Sequence, residues 1–158
     1  QGVLYAGLMI VNGIPYVLEF NARMGDPETQ VVLPLLKTDL LDVIEAVIDH
    51  RLEQLPVEWS GEAAVCVVIT SGGYPGAYQQ GMVIAGLPTI AAASSASVVF
   101  HAGTAQRDQH VITAGGRVLG VLGLGSTLSN ARREAYQVVN TISFEGCHFR
   151  TDIAHRAL

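Results

Sequence analysis

Residues 11–28 read VNGIPYVLEFNARMGDPE, and the way this stretch folds decides the reading of the rest. Asn12-Gly13 separates two strand-like runs, residues 3–11 and 15–20. Both members of an Asn-Gly pair accept positive φ, so the dipeptide is a strong hairpin signal. On the return strand Val17, Glu19, Asn21 and Arg23 share one parity, and Leu18, Phe20 and Ala22 share the other. Because strand side chains alternate between faces, the apolar set is expected to face a core and the polar set to project together. Gly25 allows a sharp turn. Asp26 is expected to cap a following helix, with Pro27 at its first position and Glu28 in the first turn.

Outward from this hairpin, Pro34 interrupts the next apolar run and predicts a short or kinked helix. From Asp39 a helical period sets in. Leu40, Val43, Ile44 and Val47 form an apolar stripe against Asp42, Glu45 and Asp49, and the helix is expected to end near residues 50–53. Leu55-Pro56 and Ser60-Gly61 mark a connector, which predicts two parts, residues 1–55 and 56–158. The second part is strand-rich. Residues 63–71 read as a buried strand leading into the turn-rich residues 72–76, and residues 98–102 as another strand. Residues 110–113 and 117–124 flank Ala114-Gly115-Gly116 and are predicted to form a hairpin. Ser126 or Thr127 then caps a helix to about residue 141 that turns Leu128, Ala131, Ala135 and Val138 or Val139 inward. The small residues 91–97 read as a loop or helix turn. The fold class is α+β: an antiparallel hairpin with helices, followed by a small strand-rich α+β domain.

The 158 residues are 49% hydrophobic and 15% charged, a packed globular balance rather than a disordered one. A formal charge of −5 with scattered Lys and Arg argues against a nucleic-acid partner. No apolar run approaches the roughly 20 residues of a membrane-spanning helix. Nothing at the start reads as a signal peptide. Cys66 and Cys147 lack metal-type spacing, Cys66 reads as a core thiol, and this usage suits a reducing, cytoplasmic compartment. The five histidines show no paired metal spacing. Gly120-Val121-Leu122-Gly123-Leu124-Gly125 before a helix lacks the order of a dinucleotide fingerprint and reads as a tight strand-to-helix turn. The abrupt start at Gln1, inside an alternating apolar segment, suggests a truncated N-terminus.

The chemistry centres on Glu19, Asn21 and Arg23. One carboxylate and one amide oxygen on a common strand face make a sensible half-shell for a nucleotide-bound Mg²⁺, which takes its other ligands from water and phosphate. An arginine on that face could contact phosphate or carboxylate bidentately. The same spacing also describes an ordinary solvated face of an edge hairpin.

The Glu-x-Asn-x-Arg run resembles the closing strand of the ATP-grasp fold. Its continuation Gly25-Asp26-Pro27-Glu28-Thr29-Gln30 is similar to the phosphoribosylamine–glycine ligase family within that superfamily. The resemblance continues through Phe100-His101-Ala102-Gly103-Thr104, residues 115–121 and the closing residues 149–158. Biotin-carboxylase-like relatives carry a second acidic ligand on the preceding strand, where this sequence has Gly7. The family resemblance implies the C-terminal part of an ATP-grasp central domain followed by the family's C-terminal domain. It implies ATP-dependent ligation of glycine to 5-phosphoribosylamine through glycyl phosphate, in purine biosynthesis. Carried over, Glu19 and Asn21 become ligands of Mg²⁺ or Mn²⁺, and Arg23 steadies charge on the acyl phosphate. Asp26 orients the loop or meets the substrate amine. Met9 becomes a candidate floor for the adenine ring, against the ordinary reading of an apolar strand residue as core. The partners implied are glycine, 5-phosphoribosylamine, ATP and the remainder of the ligase chain, without which the segment is expected to be inactive. Another ATP-grasp carboxylate–amine ligase and a non-catalytic β-rich module are the alternatives.

Overall fold

The computed structural model describes residues 1–88 and 96–158. These form two compact units, Gln1–Ser60 and Gly61–Leu158. The small-residue stretch expected to be a loop or helix turn lies, over residues 91–95, outside the described residues.

The first unit opens with β1 (Tyr5–Val11) and β2 (Ile14–Asn21), an antiparallel pair. Asn12 at φ 52° and Gly13 at φ 79° supply the left-handed turn that the dipeptide promised. The register is regular from Val11↔Ile14 to Leu8↔Val17, then jumps to Gly7↔Glu19, which leaves Leu18 as the extra residue of a bulge. One inserted residue inverts the facing of everything before it. Val17 therefore lies opposite Leu8, on the face of Ala6 and Phe20, and not with Glu19 as simple alternation predicts. The apolar set does not meet a core either: Leu18 is 65% and Phe20 61% exposed.

α1 (Thr29–Val32) is short, and a 3-10 turn over Leu33–Leu35 with Pro34 in its first positions ends it. Asp26 does not cap this helix. The Asp26–Pro27 peptide is cis, the capping position is Glu28, and no side chain caps the end. Thr29 instead closes the turn by donating its amide (3.0 Å) to the Gly25 carbonyl, which its hydroxyl also contacts. α2 (Leu40–Ile48) is capped by Asp39, whose carboxylate accepts from the Leu41 amide at 2.8 Å. Its inward face is narrower than the sequence stripe. Ala46 is fully buried, with Val43 and Val47 half-buried beside it, whereas Leu40 and Ile44 are exposed. The connector turns back onto this unit, with the Ser60 amide donating to the Leu35 carbonyl at 2.7 Å and Leu36 bridging to Trp59.

The second unit is built on a four-stranded antiparallel sheet in the order β4-β7-β3-β8. Its strands are β3 (Ala63–Thr70), β4 (Ser97–His101), β7 (Arg117–Gly125) and β8 (His148–Phe149). α3 (Leu128–Val139) lies across one face, capped by Thr127 through the Asn130 amide. Val65, Val67 and Ile69 point at the helix together with Leu119 and Val121, and Ala131, Ala135 and Val139 answer from it. Cys66 has the other parity and is half-buried, not a core thiol.

Two expectations change here. The glycine-rich run 120–125 is β7 itself rather than a turn. Its glycines have a packing reason: a Cβ on Gly123 would overlap the backbone of α3 at Ala131 and Ala135. The predicted hairpin across residues 114–116 is also absent. β6 (His110–Thr113) pairs with β5 (Thr104–Arg107), around a turn at Asp108 with φ 53°, while β7 pairs with β3 and β4. The glycines at 115 and 116 serve close contacts instead: a Cβ on Gly103 would lie 2.7 Å from the Gly115 Cα, and a Cβ on Gly116 would overlap the Tyr74 ring.

Candidate functional site

Directly opposed residues of an antiparallel ladder share a face, as do residues two apart along a strand. Tyr5↔Asn21 and Gly7↔Glu19 therefore place Tyr5, Gly7, Glu19 and Asn21 on one face of the β1–β2 pair. The Asn21 amide nitrogen donates to Glu19 Oε1 at 3.2 Å, so carboxylate and amide are in contact. Asn21 is half-buried and Glu19 exposed. Gly7 packs directly against Glu19: a methyl group there would sit 3.1 Å from the Glu19 Cγ, closer than an ordinary carbon contact.

Because β1 runs without interruption through the bulge, Met9 shares this face with Gly7. It is 51% exposed and paired with Tyr16, so it is a surface residue of the hairpin and not core. Arg23 lies past the end of β2, beyond the reach of strand alternation, and its guanidinium donates to the Met24 carbonyl at 2.8 Å. Asp26 Oδ1 accepts from the side chain of Gln30 on α1 at 2.9 Å, a contact that joins the loop to the helix that follows it. The ladder thus brings Glu19 and Asn21 together with Met9 further along the same face, while Arg23 and Asp26 sit on the adjoining loop.

A contact from outside the motif also reaches this face. The Tyr5 hydroxyl donates to Glu28 Oε1 at 3.1 Å. That bond raises the Tyr5 phenol above its ordinary value, followed by burial and by the nearby charges of Glu28 and Glu19. Spacing gave no signal for this pair, because the partners are 23 residues apart and join only once the chain has turned at Gly25. Among the described residues no cluster of three or more His, Cys, Asp or Glu side chains could hold a metal. A cation at Glu19–Asn21 would therefore draw most of its ligands from bound phosphate and water, as Mg²⁺ habitually does.

In the second unit the turn 71–76 is firmly held. Ser71, 3% exposed, donates its hydroxyl to the Gly115 carbonyl at 2.9 Å and its amide to the Gly116 carbonyl at 2.8 Å. Arg117 Nε donates to the Tyr74 hydroxyl at 3.2 Å, and Tyr74 meets Tyr78 edge-on. Beside this turn lies a cleft of about 470 Å³ lined by Gly72, Tyr78, Gln79, Met82 and Glu145 among others.

Residues 64–156 match the family described as Phosphoribosylglycinamide synthetase, C domain, and residues 1–29 match its ATP-grasp (A) domain. The chain is 51% identical over 154 residues to a phosphoribosylamine–glycine ligase of Caldanaerobacter subterraneus, covering 98% of this chain and 36% of that one. It is 53% identical over 161 residues to a ligase of the same name from Synechocystis, covering all of this chain and 38% of the relative. The crystal structure of phosphoribosylamine–glycine ligase from Thermotoga maritima superposes with a TM-score of 0.75 at 40% identity, over 94% of this chain and 36% of that one. The chain therefore spans little more than a third of the length of the relatives it matches.

Proposed function

This chain belongs to the phosphoribosylglycinamide synthetase family, and from that premise we propose that it forms the metal-binding wall and the C-terminal domain of a full-length, ATP-dependent phosphoribosylamine–glycine ligase. In that reading the carboxylate of glycine is phosphorylated by ATP. The amine of 5-phosphoribosylamine then attacks the glycyl phosphate to give glycinamide ribonucleotide, ADP and phosphate. The observation that carries the reading is the Glu19–Asn21 pair on an open ladder face opposite Gly7, in a chain half identical to ligases of that name.

We assign Glu19 and Asn21 as the holders of a divalent cation, Mg²⁺ or Mn²⁺. Each side chain carries a hard oxygen donor, the two lie on one ladder face in hydrogen-bond contact through the Asn21 amide nitrogen, and Glu19 is reachable from solvent, so they fit such an ion. When bound, the ion supplies charge neutralisation for phosphoryl transfer. The chain's own groups do the rest. Glu19 and Asn21 fix the site on a paired ladder. Arg23, two residues past Asn21 and exposed, steadies the charge of the acyl phosphate with its guanidinium. Asp26 shapes the loop through Gln30 or meets the substrate amine, and Met9 offers an apolar floor for adenine.

The ATP-grasp portion comprises residues 1–55 with the connector hydrogen-bonded to it, and the C-terminal domain follows. The remainder of the ligase chain supplies the other walls of the ATP site, and the enzyme works in the cytoplasm. No helix among the described residues is long and apolar enough to cross a membrane. ADP release dependent on both glycine and 5-phosphoribosylamine, from a full-length protein carrying this segment but not from the 158 residues alone, is the expected result. Turnover independent of glycine would transfer the site to a different carboxylate.

A further inference from the structure

The face that carries Glu19 and Asn21 is continuous with a bond that the proposed chemistry does not use. Tyr5 is the cross-strand partner of Asn21 and the β1 neighbour-but-one of Gly7. Its hydroxyl reaches Glu28 Oε1 at 3.1 Å, and the contact is part-buried. Glu28 stands at the far end of the loop that carries Arg23 and Asp26, at the capping position of α1. The loop between is pinched at Gly25, its one buried residue, where a Cβ would overlap the Glu28 carboxylate. The Thr29 amide and hydroxyl both close on the Gly25 carbonyl. The loop thus leaves β2 at Asn21 and is tied back, through Glu28, to the residue opposite Asn21.

We propose that Tyr5 and Glu28 form a strut that fixes the loop 22–28 across the end of the β1–β2 ladder, and that both are positioning residues for Arg23 and Asp26 relative to Glu19 and Asn21. The proposal rests on the functional reading above and names two residues to which that reading gives no role. The chemistry of the pair suits the task. A phenol donates one directional hydrogen bond to a carboxylate oxygen and has only two side-chain torsions to immobilise. The glycine at position 25 leaves the Glu28 carboxylate the room it occupies, which a Cβ there would take. Loss of the bond would free the loop without disturbing the ladder, whose register is set by backbone pairing and by the turn at Asn12-Gly13.

The test uses a full-length ligase carrying this segment, with glycine- and phosphoribosylamine-dependent ADP release as the assay. Tyr5→Phe removes one oxygen and is expected to lower kcat about tenfold, with KM for ATP within about twofold and an unchanged melting temperature. Glu28→Ala is expected to lose as much. Glu28→Gln keeps an oxygen acceptor for the phenol and recovers most of that loss. The double variant Tyr5→Phe/Glu28→Ala loses no more than either single one, because both remove the same bond. The strut is overturned if Tyr5→Phe turns over like the wild type. It is equally overturned if Glu28→Gln falls as far as Glu28→Ala while Tyr5→Phe does not, which would give Glu28 a direct role through its charge. A wild-type enzyme lacking that ADP release would instead remove the functional reading itself, so the two failures are distinguishable.

Discussion

Gly123 on β7 is where a single methyl group is expected to do the most damage. Its Cβ, if present, would overlap the Ala131 carbonyl oxygen and the Ala135 amide nitrogen, and would lie 3.1 Å from the Ala135 Cα. Ordinary carbon contacts are about 3.5–4.0 Å, so α3 would have to retreat by roughly 1 Å. The obstructing atoms are backbone, and no side-chain rotation can relieve them. Retreat opens a gap above Ala131, Ala135 and Val139, all fully buried, and above Val67, Leu119 and Val121 on the sheet. A gap of that width forfeits about a quarter to a half of each dispersion contact. Overpacking costs about 1–3 kcal/mol, and the rigid obstruction puts Gly123→Ala near the upper end, about 3 kcal/mol. In urea denaturation followed by far-ultraviolet circular dichroism, that corresponds to a midpoint lower by roughly 1–3 M. Gly61→Ala, where a Cβ meets nothing within 4 Å, is the control and should fall within about 0.5 kcal/mol of the wild type. A Gly123→Ala midpoint equal to that of the control would refute the packing argument for the glycines of β7.

Three further predictions concern the C-terminal tail and the hairpin face. Arg132 donates to the carbonyls of Ile153 (2.9 Å) and Thr151 (2.8 Å) and stacks 4.8 Å from the Tyr136 ring centre. Arg132→Ala should cost about 2 kcal/mol, read by thermal unfolding as a drop of several degrees. Hydrogen bonds from Arg150 (2.8 and 2.7 Å) hold the Asp152 carboxyl down to about 2, from an ordinary 3.8. A folded value below the unfolded one stabilises above the unfolded value and is lost as pH falls from about 4 towards 2. Asp152→Asn should therefore flatten the dependence of the unfolding midpoint on pH in that window. An identical slope in both proteins would contradict the pairing. Gly7→Ala places a methyl 3.1 Å from the Glu19 Cγ, and the exposed Glu19 side chain can turn aside. Stability should hold within about 0.5 kcal/mol, while turnover of the full-length enzyme falls about tenfold.

Local chemistry explains what could be seen in the sequence. Asn12-Gly13 announces its turn because few other residues accept two successive positive φ angles. Asp39 and Thr127 announce helix starts because their side chains satisfy free amides. The bulge at Leu18 leaves no such mark, and alternation alone puts Val17 on the wrong face. Glycines misled where they serve close approach instead of a turn. Those at 115 and 116 suggest a hairpin that the β5–β6 pairing pre-empts, and those at 120, 123 and 125 suggest a strand-to-helix turn where the strand expected over 117–124 runs on to Gly125. Burial was legible for α3, whose partner sheet lies in the same unit. It was not legible for β2, because an apolar pattern states which face avoids water and cannot state what covers it. At the site, Glu19 and Asn21 were legible from period-two spacing, whereas the Tyr5–Glu28 bond needed the fold to bring its ends together.

The Glu19–Asn21 face carries the proposed chemistry, and one kinetic comparison tests it most directly. In a full-length ligase carrying this segment, glycine- and phosphoribosylamine-dependent ADP release is measured against Mg²⁺ concentration for the wild type and for Glu19→Ala, with folding checked by circular dichroism. The expected result is a loss of at least about a hundredfold, with a weakened Mg²⁺ dependence and an unchanged fold. Turnover within about twofold of the wild type, with the same Mg²⁺ dependence, would contradict it and leave the polar face of the hairpin merely solvated.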